Sequence, residues 1–175
     1  IKNNQQLLDM VNTLLEVYRH EAGHKTITRS SLNLYEMVET VVGELRPLAS
    51  EKQLDFRLTD SQGQAISSPD DYEMRGDAME LRRVITNLIG NAIKFTDQGQ
   101  VHVQLKKSAE GPSTLGEYTL TKPVKHWLIL TVIDSGIGIS EEDRAEIFKW
   151  FRQGKQRRSG SGLGLHLACR IVNMH

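Results

Sequence analysis

Between Asp77 and Ile133 the hydrophobic period changes, and this change limits the fold more than any other feature. Leu81, Val84, Ile85, Leu88, Ala92 and Ile93 recur at helical spacing. Asp77 can cap that helix, with Glu80 three residues on. After a turn at Asp97-Gln98-Gly99-Gln100, Val101, Val103 and Leu105 alternate as one face of a strand does. Trp127 to Ile133 is unbroken apolar sequence, the pattern of a central strand. Helix and strand patterns therefore share one chain.

The same signals extend to both sides. Leu7, Val11, Leu14 and Tyr18, widened by Leu8 and Leu15, form the seam of a helix that packs on other helices, or the stripe of an ordinary amphipathic one. Gly23 and the β-branched Thr26, Ile27 and Thr28 end it. Asn33 and Glu36 read as a capping box for a second helix. Its buried face is Leu34, Met37, Val38, Val41, Val42 and Leu45, and Pro47 marks its end or a kink. Leu54, Phe56 and Leu58 alternate as a strand, residues 59–73 read as a loop, and residues 108–123 as a surface hairpin or loop. Ser140 caps a short helix through Phe151, and residues 152–161 are basic and glycine-rich. A last helix from near Gly162 buries Leu167, Ala168, Ile171 and Val172.

Composition excludes some partners. The 22 basic and 22 acidic side chains of this 175-residue chain cancel, so no broad basic surface invites nucleic acid. The longest apolar run is too short to cross a bilayer, so no membrane contact is expected. The lone Cys169 excludes an internal disulfide and suits a reducing, cytoplasmic compartment.

His20-Glu21-Ala22-Gly23-His24 matches the H-E-x-x-H signature of zinc peptidases. That chemistry needs a helix and a later third ligand. Gly23 sits where the helix is ending, and His102, His126, His166 and His175 lack ligand-like spacing. Two solvent-facing histidines at a helix end explain the segment as well.

Three stretches carry chemistry. Asn87, Asn91 and Lys94 share one helix face, away from much of the apolar stripe. An amide oxygen is a hard ligand suited to Mg²⁺, and a lysine supplies a point charge for phosphate. A solvated helix face would also fit the pattern. Asp134-Ser135-Gly136-Ile137-Gly138-Ile139-Ser140 follows a strand directly, where open α/β sheets bind ligands. Gly160-Ser161-Gly162-Leu163-Gly164-Leu165 opens the last helix, and its N–H groups suit phosphate. It is neither a P-loop nor a Rossmann turn.

In this order, Asn-x-x-x-Asn, Asp-x-Gly-x-Gly and Gly-x-Gly-x-Gly resemble the ATP-binding domain of sensor histidine kinases, of the superfamily of gyrase, MutL and heat-shock chaperone ATPases. Ile147-Phe148-Lys149-Trp150-Phe151 is similar to the family's phenylalanine box, and residues 14–25 to the end of its second dimerisation helix and linker. The resemblance covers nearly the whole chain. It implies an α/β (Bergerat-type) two-layer sandwich, a mixed sheet with helices on one face, over 26–175. Residues 1–25 would be the dimerisation helix and linker, making the zinc signature a coincidence.

The resemblance also implies roles. Asp134 would accept from the adenine amino group, and Asn91 would hold Mg²⁺. Lys94 and Arg152 would neutralise phosphate, and Phe95 would pack on the base or simply in the core. Gly136, Gly138 and Ile139 would line the pocket. Gly160, Ser161, Gly162, Leu163, Gly164 and Leu165 would wrap the phosphates, with 152–161 as a lid that Phe148 and Phe151 couple to the dimerisation helices. Hydrolytic relatives carry Glu where this chain has Asn87, which cannot serve as a strong general base at neutral pH. ATP would wait for another nucleophile, a histidine on the dimerisation domain, and the phosphoryl group would pass on to a response regulator. A superfamily ATPase and an inactive nucleotide-binding module are the alternatives. The family's acceptor helix and last two strands have no counterpart in this sequence, so a longer, homodimeric parent is expected, with its membrane anchoring left open by the sequence.

Overall fold

The computed structural model describes residues 26–111, 126–144, 147 and 163–175, the single positions Val11, Leu15 and Tyr18, and the backbone of 114–115 and 118–119. By backbone contacts the chain divides into Arg29–Ile137 and a second unit made of Ile1–Thr28 with Gly138–His175.

The first unit holds most of the regular structure. Strand β1 (Ser30–Asn33) leads into helix α1 (Leu34–Glu51). Asn33 caps it as expected, its Oδ1 accepting from Glu36 N at 3.2 Å. The helix continues through Pro47 to Glu51, so the proline neither ends it nor interrupts its assignment. Strand β2 (Asp55–Asp60), a 3₁₀ turn (Pro69–Tyr72) and strand β3 (Glu73–Gly76) precede helix α2 (Ala78–Phe95). Asp77 caps α2 in the same way, accepting from Glu80 N at 3.2 Å. Strand β4 (Gln100–Ser108), the two-residue strands β5 (Thr114–Leu115) and β6 (Tyr118–Thr119), and strand β7 (Trp127–Asp134) follow.

Three strands form a mixed sheet in the order β2-β4-β7, with β2 parallel and β7 antiparallel to β4. A parallel pair needs a crossover, and α2 supplies it. β4 is the central strand, with Val101, Val103 and Leu105 all at 0% exposure. The apolar run of β7 was expected to be central. Among the described residues it is instead the outer strand. Leu128, Leu130 and Val132 pack on the core while Ile133 is 42% exposed. An apolar run reports high hydrophobicity, not position in a sheet.

The helices lie together, Arg82 pairing with Glu44 at 2.5 Å, and both pack on the sheet. Val38, Val41 and Val42 of α1 meet Ile85, Ala92 and Ile93 of α2 in one cluster. Each of these valines and isoleucines contributes about 1.5–3 kcal/mol on burial. Ile89, outside the expected stripe, is also fully buried, whereas Leu81 and Leu88 are half-buried. β5 and β6 form the expected hairpin. Part of the expected loop 59–73 is regular, since β2 runs to Asp60 and the 3₁₀ turn takes Pro69–Tyr72. β3, which follows it, pairs antiparallel with β1, from Ser30 opposite Gly76 to Asn33 opposite Glu73. That ribbon links the approaches to both helix caps.

In the second unit, helix α3 (Glu141–Arg144) begins at Ser140, whose Oγ accepts from Asp143 N at 3.1 Å. Residues 148–151 lie outside the described residues. Helix α4 (Gly164–Met174) buries Leu167, Ala168 and Ile171 as expected, but Val172 is 39% exposed. Val172 directly follows the fully buried Ile171, and one residue step turns it about 100° away from that side chain. Val11, Leu15 and Tyr18 are helical and exposed. No described helix is long and apolar enough to cross a membrane.

Candidate nucleotide site

α2 carries the polar strip. Asn87, Asn91, Lys94 and Phe95 are each half-buried, beside the core rather than opposite it. Asn91 Nδ2 donates to Asn87 Oδ1 at 3.4 Å, which leaves the Asn91 oxygen to take a cation. Asn87 Nδ2 is buried without a hydrogen-bond partner. Such a donor is costly unless an acceptor is supplied. The Lys94 ammonium stands 4.9 Å from the centroid of the Phe95 ring.

Asp134 lies exposed at the C-terminal end of β7. One of its carboxylate oxygens accepts from Gly136 N at 2.9 Å, a local turn that leaves the other oxygen for a ligand. Two contacts tie this loop to the rest of the site. Ile137 N donates to Phe95 O at 3.4 Å, joining the loop to the end of α2. Ser135 N donates to Gln100 O at 3.1 Å, and Ser135 Oγ accepts from Gln100 N at 2.9 Å. Gly99, at φ +103°, lets the turn pass Ser135, because a Cβ there would collide with Ser135 Oγ. Asn87, Asn91, Lys94, Phe95, Asp134 and Gly136 therefore belong to one unit.

Gly138, at φ +68°, and the exposed Ile139 belong to the second unit. So do Gly164 and Leu165, both half-buried, and Leu163, which is 0% exposed. A side chain that buried offers a ligand only its backbone. Arg152, Gly160, Ser161, Gly162, Phe148 and Phe151 lie outside the described residues, as does His20-Glu21-Ala22-Gly23-His24. Among the described residues no three His, Cys, Asp or Glu side chains gather as metal ligands.

Ser135 and Gly99 shape the loop beside α2 and were missed by sequence reasoning, as were the bonds from Lys52 Nζ to the carbonyls at the end of α2. The Asp-Gln-Gly-Gln turn was a usable signal for Gly99. Nothing in the sequence pairs Ser135 with that turn, or Lys52 with α2.

A family model described as "Histidine kinase-, DNA gyrase B-, and HSP90-like ATPase" matches residues 76–175. The chain belongs to that family. Among curated members, this ATPase-family chain is 30% identical over 176 residues to the signal transduction histidine-protein kinase BarA of Escherichia coli (strain K12), covering 98% of this chain and 17% of BarA. It is 34% identical over 180 residues to hybrid signal transduction histidine kinase D of Dictyostelium discoideum, covering 99% of this chain and 10% of that protein. The chain thus spans under a fifth of the length of these relatives. Full-length ShkA in complex with AMPPNP superposes with a TM-score of 0.71 at 22% identity, over 99% of this chain and 32% of ShkA. The nucleotide-free catalytic domain of histidine kinase ThkA gives 0.60 at 22% identity, over 83% and 82%. The fold of this ATPase-family domain is therefore the mixed-sheet α/β fold of histidine kinase catalytic domains.

Proposed function

We propose that this chain is the ATP-binding catalytic portion of a sensor histidine kinase. It holds ATP for transfer of the γ-phosphoryl group to a histidine on the kinase's own dimerisation domain, and a response-regulator receiver domain takes the group next. One observation carries this reading. The loop bearing Asp134 and the helix bearing Asn87 and Asn91 meet through the Ile137 N–H to Phe95 carbonyl bond. That bond fixes a purine-reading carboxylate relative to amides that face a triphosphate.

In this reading Asp134 accepts from the adenine amino group. The unpartnered Asn87 Nδ2 finds its acceptor in a phosphate oxygen. The Lys94 and Arg152 cations reduce the charge repulsion that an approaching nucleophile meets. Asn91 Oδ1 would hold Mg²⁺, which neutralises triphosphate charge when bound. By the family resemblance, the Gly160-x-Gly162-x-Gly164 segment would offer backbone N–H groups to phosphate. The acceptor imidazole nitrogen forms a bond to the γ-phosphorus while the bond to the β–γ bridging oxygen breaks and ADP leaves. Catalysis is mainly positioning and charge stabilisation. Asn87 supports phosphotransfer over hydrolysis, because no carboxylate stands at that position to deprotonate water. The exposed stripe of Val11, Leu15 and Tyr18 supports residues 1–25 as a dimerisation helix, with residues 26–175 as the ATP-binding domain.

The test is calorimetric titration with ATP, with and without Mg²⁺, followed by transfer from labelled ATP to a separately supplied dimerisation domain. Binding plus a labelled histidine is expected. Correctly folded protein that gives no heat with ATP would end this reading, and rapid phosphate release without an acceptor would favour a hydrolase.

A further inference from the structure

α2 ends at Phe95, so the carbonyls of its last turn lack partners within the helix. Ala92 O takes the Thr96 N–H at 3.1 Å. The next four oxygens are divided between two donors. Lys52 Nζ donates to Ile93 O at 2.8 Å, Lys94 O at 3.0 Å and Thr96 O at 2.9 Å. Those three bonds use every N–H of the ammonium. It skips Phe95 O, which accepts from Ile137 N instead.

The backbone around Lys52 supports this reach. Lys52 is the C-cap of α1. Leu54 N bonds Ala49 O at 3.0 Å and Gln53 N bonds Ser50 O at 2.9 Å, closing the helix in a Schellman turn. Gln53 takes the left-handed position, at φ +55°, normally given to glycine. Lys52 thus ends α1 with its backbone and α2 with its ammonium. Positive charge at a helix C-terminus is favourable, and the side chain is only 32% exposed.

We propose that Lys52 is a positioning residue for the nucleotide site and acts through α2. By taking three of the four terminal oxygens, it sets the rotation of the last turn. That leaves the Phe95 carbonyl aimed at the Asp134–Ile137 loop. Asn91 and Lys94 lie in the last two turns of the same helix, so the ammonium also holds their side chains in register with Asp134. This inference rests on the nucleotide-site reading above.

The experiment compares ADP affinity by calorimetry in the wild-type chain, Lys52→Met, Lys52→Arg and Leu105→Ala. Leu105 lies in the core of β4, away from the loop, and its truncation controls for lost stability. Lys52→Met should weaken ADP binding about tenfold, as misplaced binding groups do. Lys52→Arg should recover most of that loss, and Leu105→Ala should bind as wild type despite a lower Tm. Amide exchange at Ile137 should quicken in Lys52→Met alone. Wild-type affinity in Lys52→Met, or an equal loss in Leu105→Ala, would overturn the positioning role and leave the nucleotide site standing. No ADP binding by wild type would overturn both. If Lys52→Met does not fold, Lys52→Gln, with at most two donors, replaces it in the same comparison.

Discussion

The Phe95 carbonyl oxygen lies 2.5 Å from where a Cβ on Gly136 would stand, and Asp134 Oδ1 lies 2.8 Å from it. Glycine is required there for closeness of approach. Gly136→Ala must push the loop off α2 or break the turn at Asp134. Overpacking of this kind costs about 1–3 kcal/mol. Thermal unfolding should show that loss, and ADP titration should show weakened binding. A variant with wild-type Tm and affinity would mean that the loop shifts freely.

Asp134→Asn keeps an oxygen for Gly136 N–H, but the other position becomes an NH₂ group. In the proposed site that group faces the adenine amino group and sets donor against donor. An unsatisfied pair of this kind costs about 1–3 kcal/mol, or roughly five- to 150-fold in affinity. Inosine diphosphate, with a carbonyl at that place, should lose much less. Competitive titration of the two nucleotides, with circular dichroism to verify the fold, tests this; unchanged ADP affinity would count against Asp134 as the purine reader.

Asn91→Ala removes the oxygen assigned to Mg²⁺ and the 3.4 Å bond to Asn87. The gain in ATP affinity on adding Mg²⁺ should shrink about tenfold or more, while Mg²⁺-free affinity changes less. Titrations in EDTA and in excess Mg²⁺ measure both. Asn87→Glu should not by itself produce fast hydrolysis, because the attacking water must also be positioned; a phosphate-release assay checks it.

Gln53 adopts left-handed backbone without being glycine. Gln53→Gly should relieve a left-handed cost of about 1–2 kcal/mol, offset by about 0.4–1 kcal/mol of entropy that glycine adds to the unfolded chain, for a net gain of about 0.5–1 kcal/mol. Urea unfolding would show a higher midpoint with an unchanged slope.

Burial raises the Tyr72 hydroxyl above the ordinary phenol range, and the Asp60 and Asp71 carboxylates add to the effect. A raised folded value means that the contribution is complete below the ordinary phenol pKa of ~10 and is lost as pH climbs through the raised value. Tyr72→Phe should cost about 0.5–1.5 kcal/mol at neutral pH, through the 3.4 Å bond to Leu105 O, and should flatten the alkaline loss. Phenolate absorbance and urea unfolding across the alkaline range measure both.

Local patterns carried the helices and the three main strands. The caps at Asn33, Asp77 and Ser140 stood where side-chain chemistry placed them, because a cap engages a backbone group only a few residues away. The β1–β3 ribbon was invisible. Each strand has four residues, and the partners lie on opposite sides of α1 and β2 in the chain. The outer place of β7 and the burial of Ile89 were equally hidden, since both depend on which neighbours arrive.

The candidate site divides in the same way. Which groups could meet a nucleotide was written in the chain: two amides and a lysine on one helical face, and an acid after a strand. The family followed from their order. Their mutual placement was not. The Phe95 to Ile137 bond, the Ser135 anchor and the reach of Lys52 join residues distant in sequence, and each exists only once packing has brought its partners within hydrogen-bond range. Covalent order determines which groups are available and what period they follow, whereas the geometry between distant groups is set by the packed core that holds them.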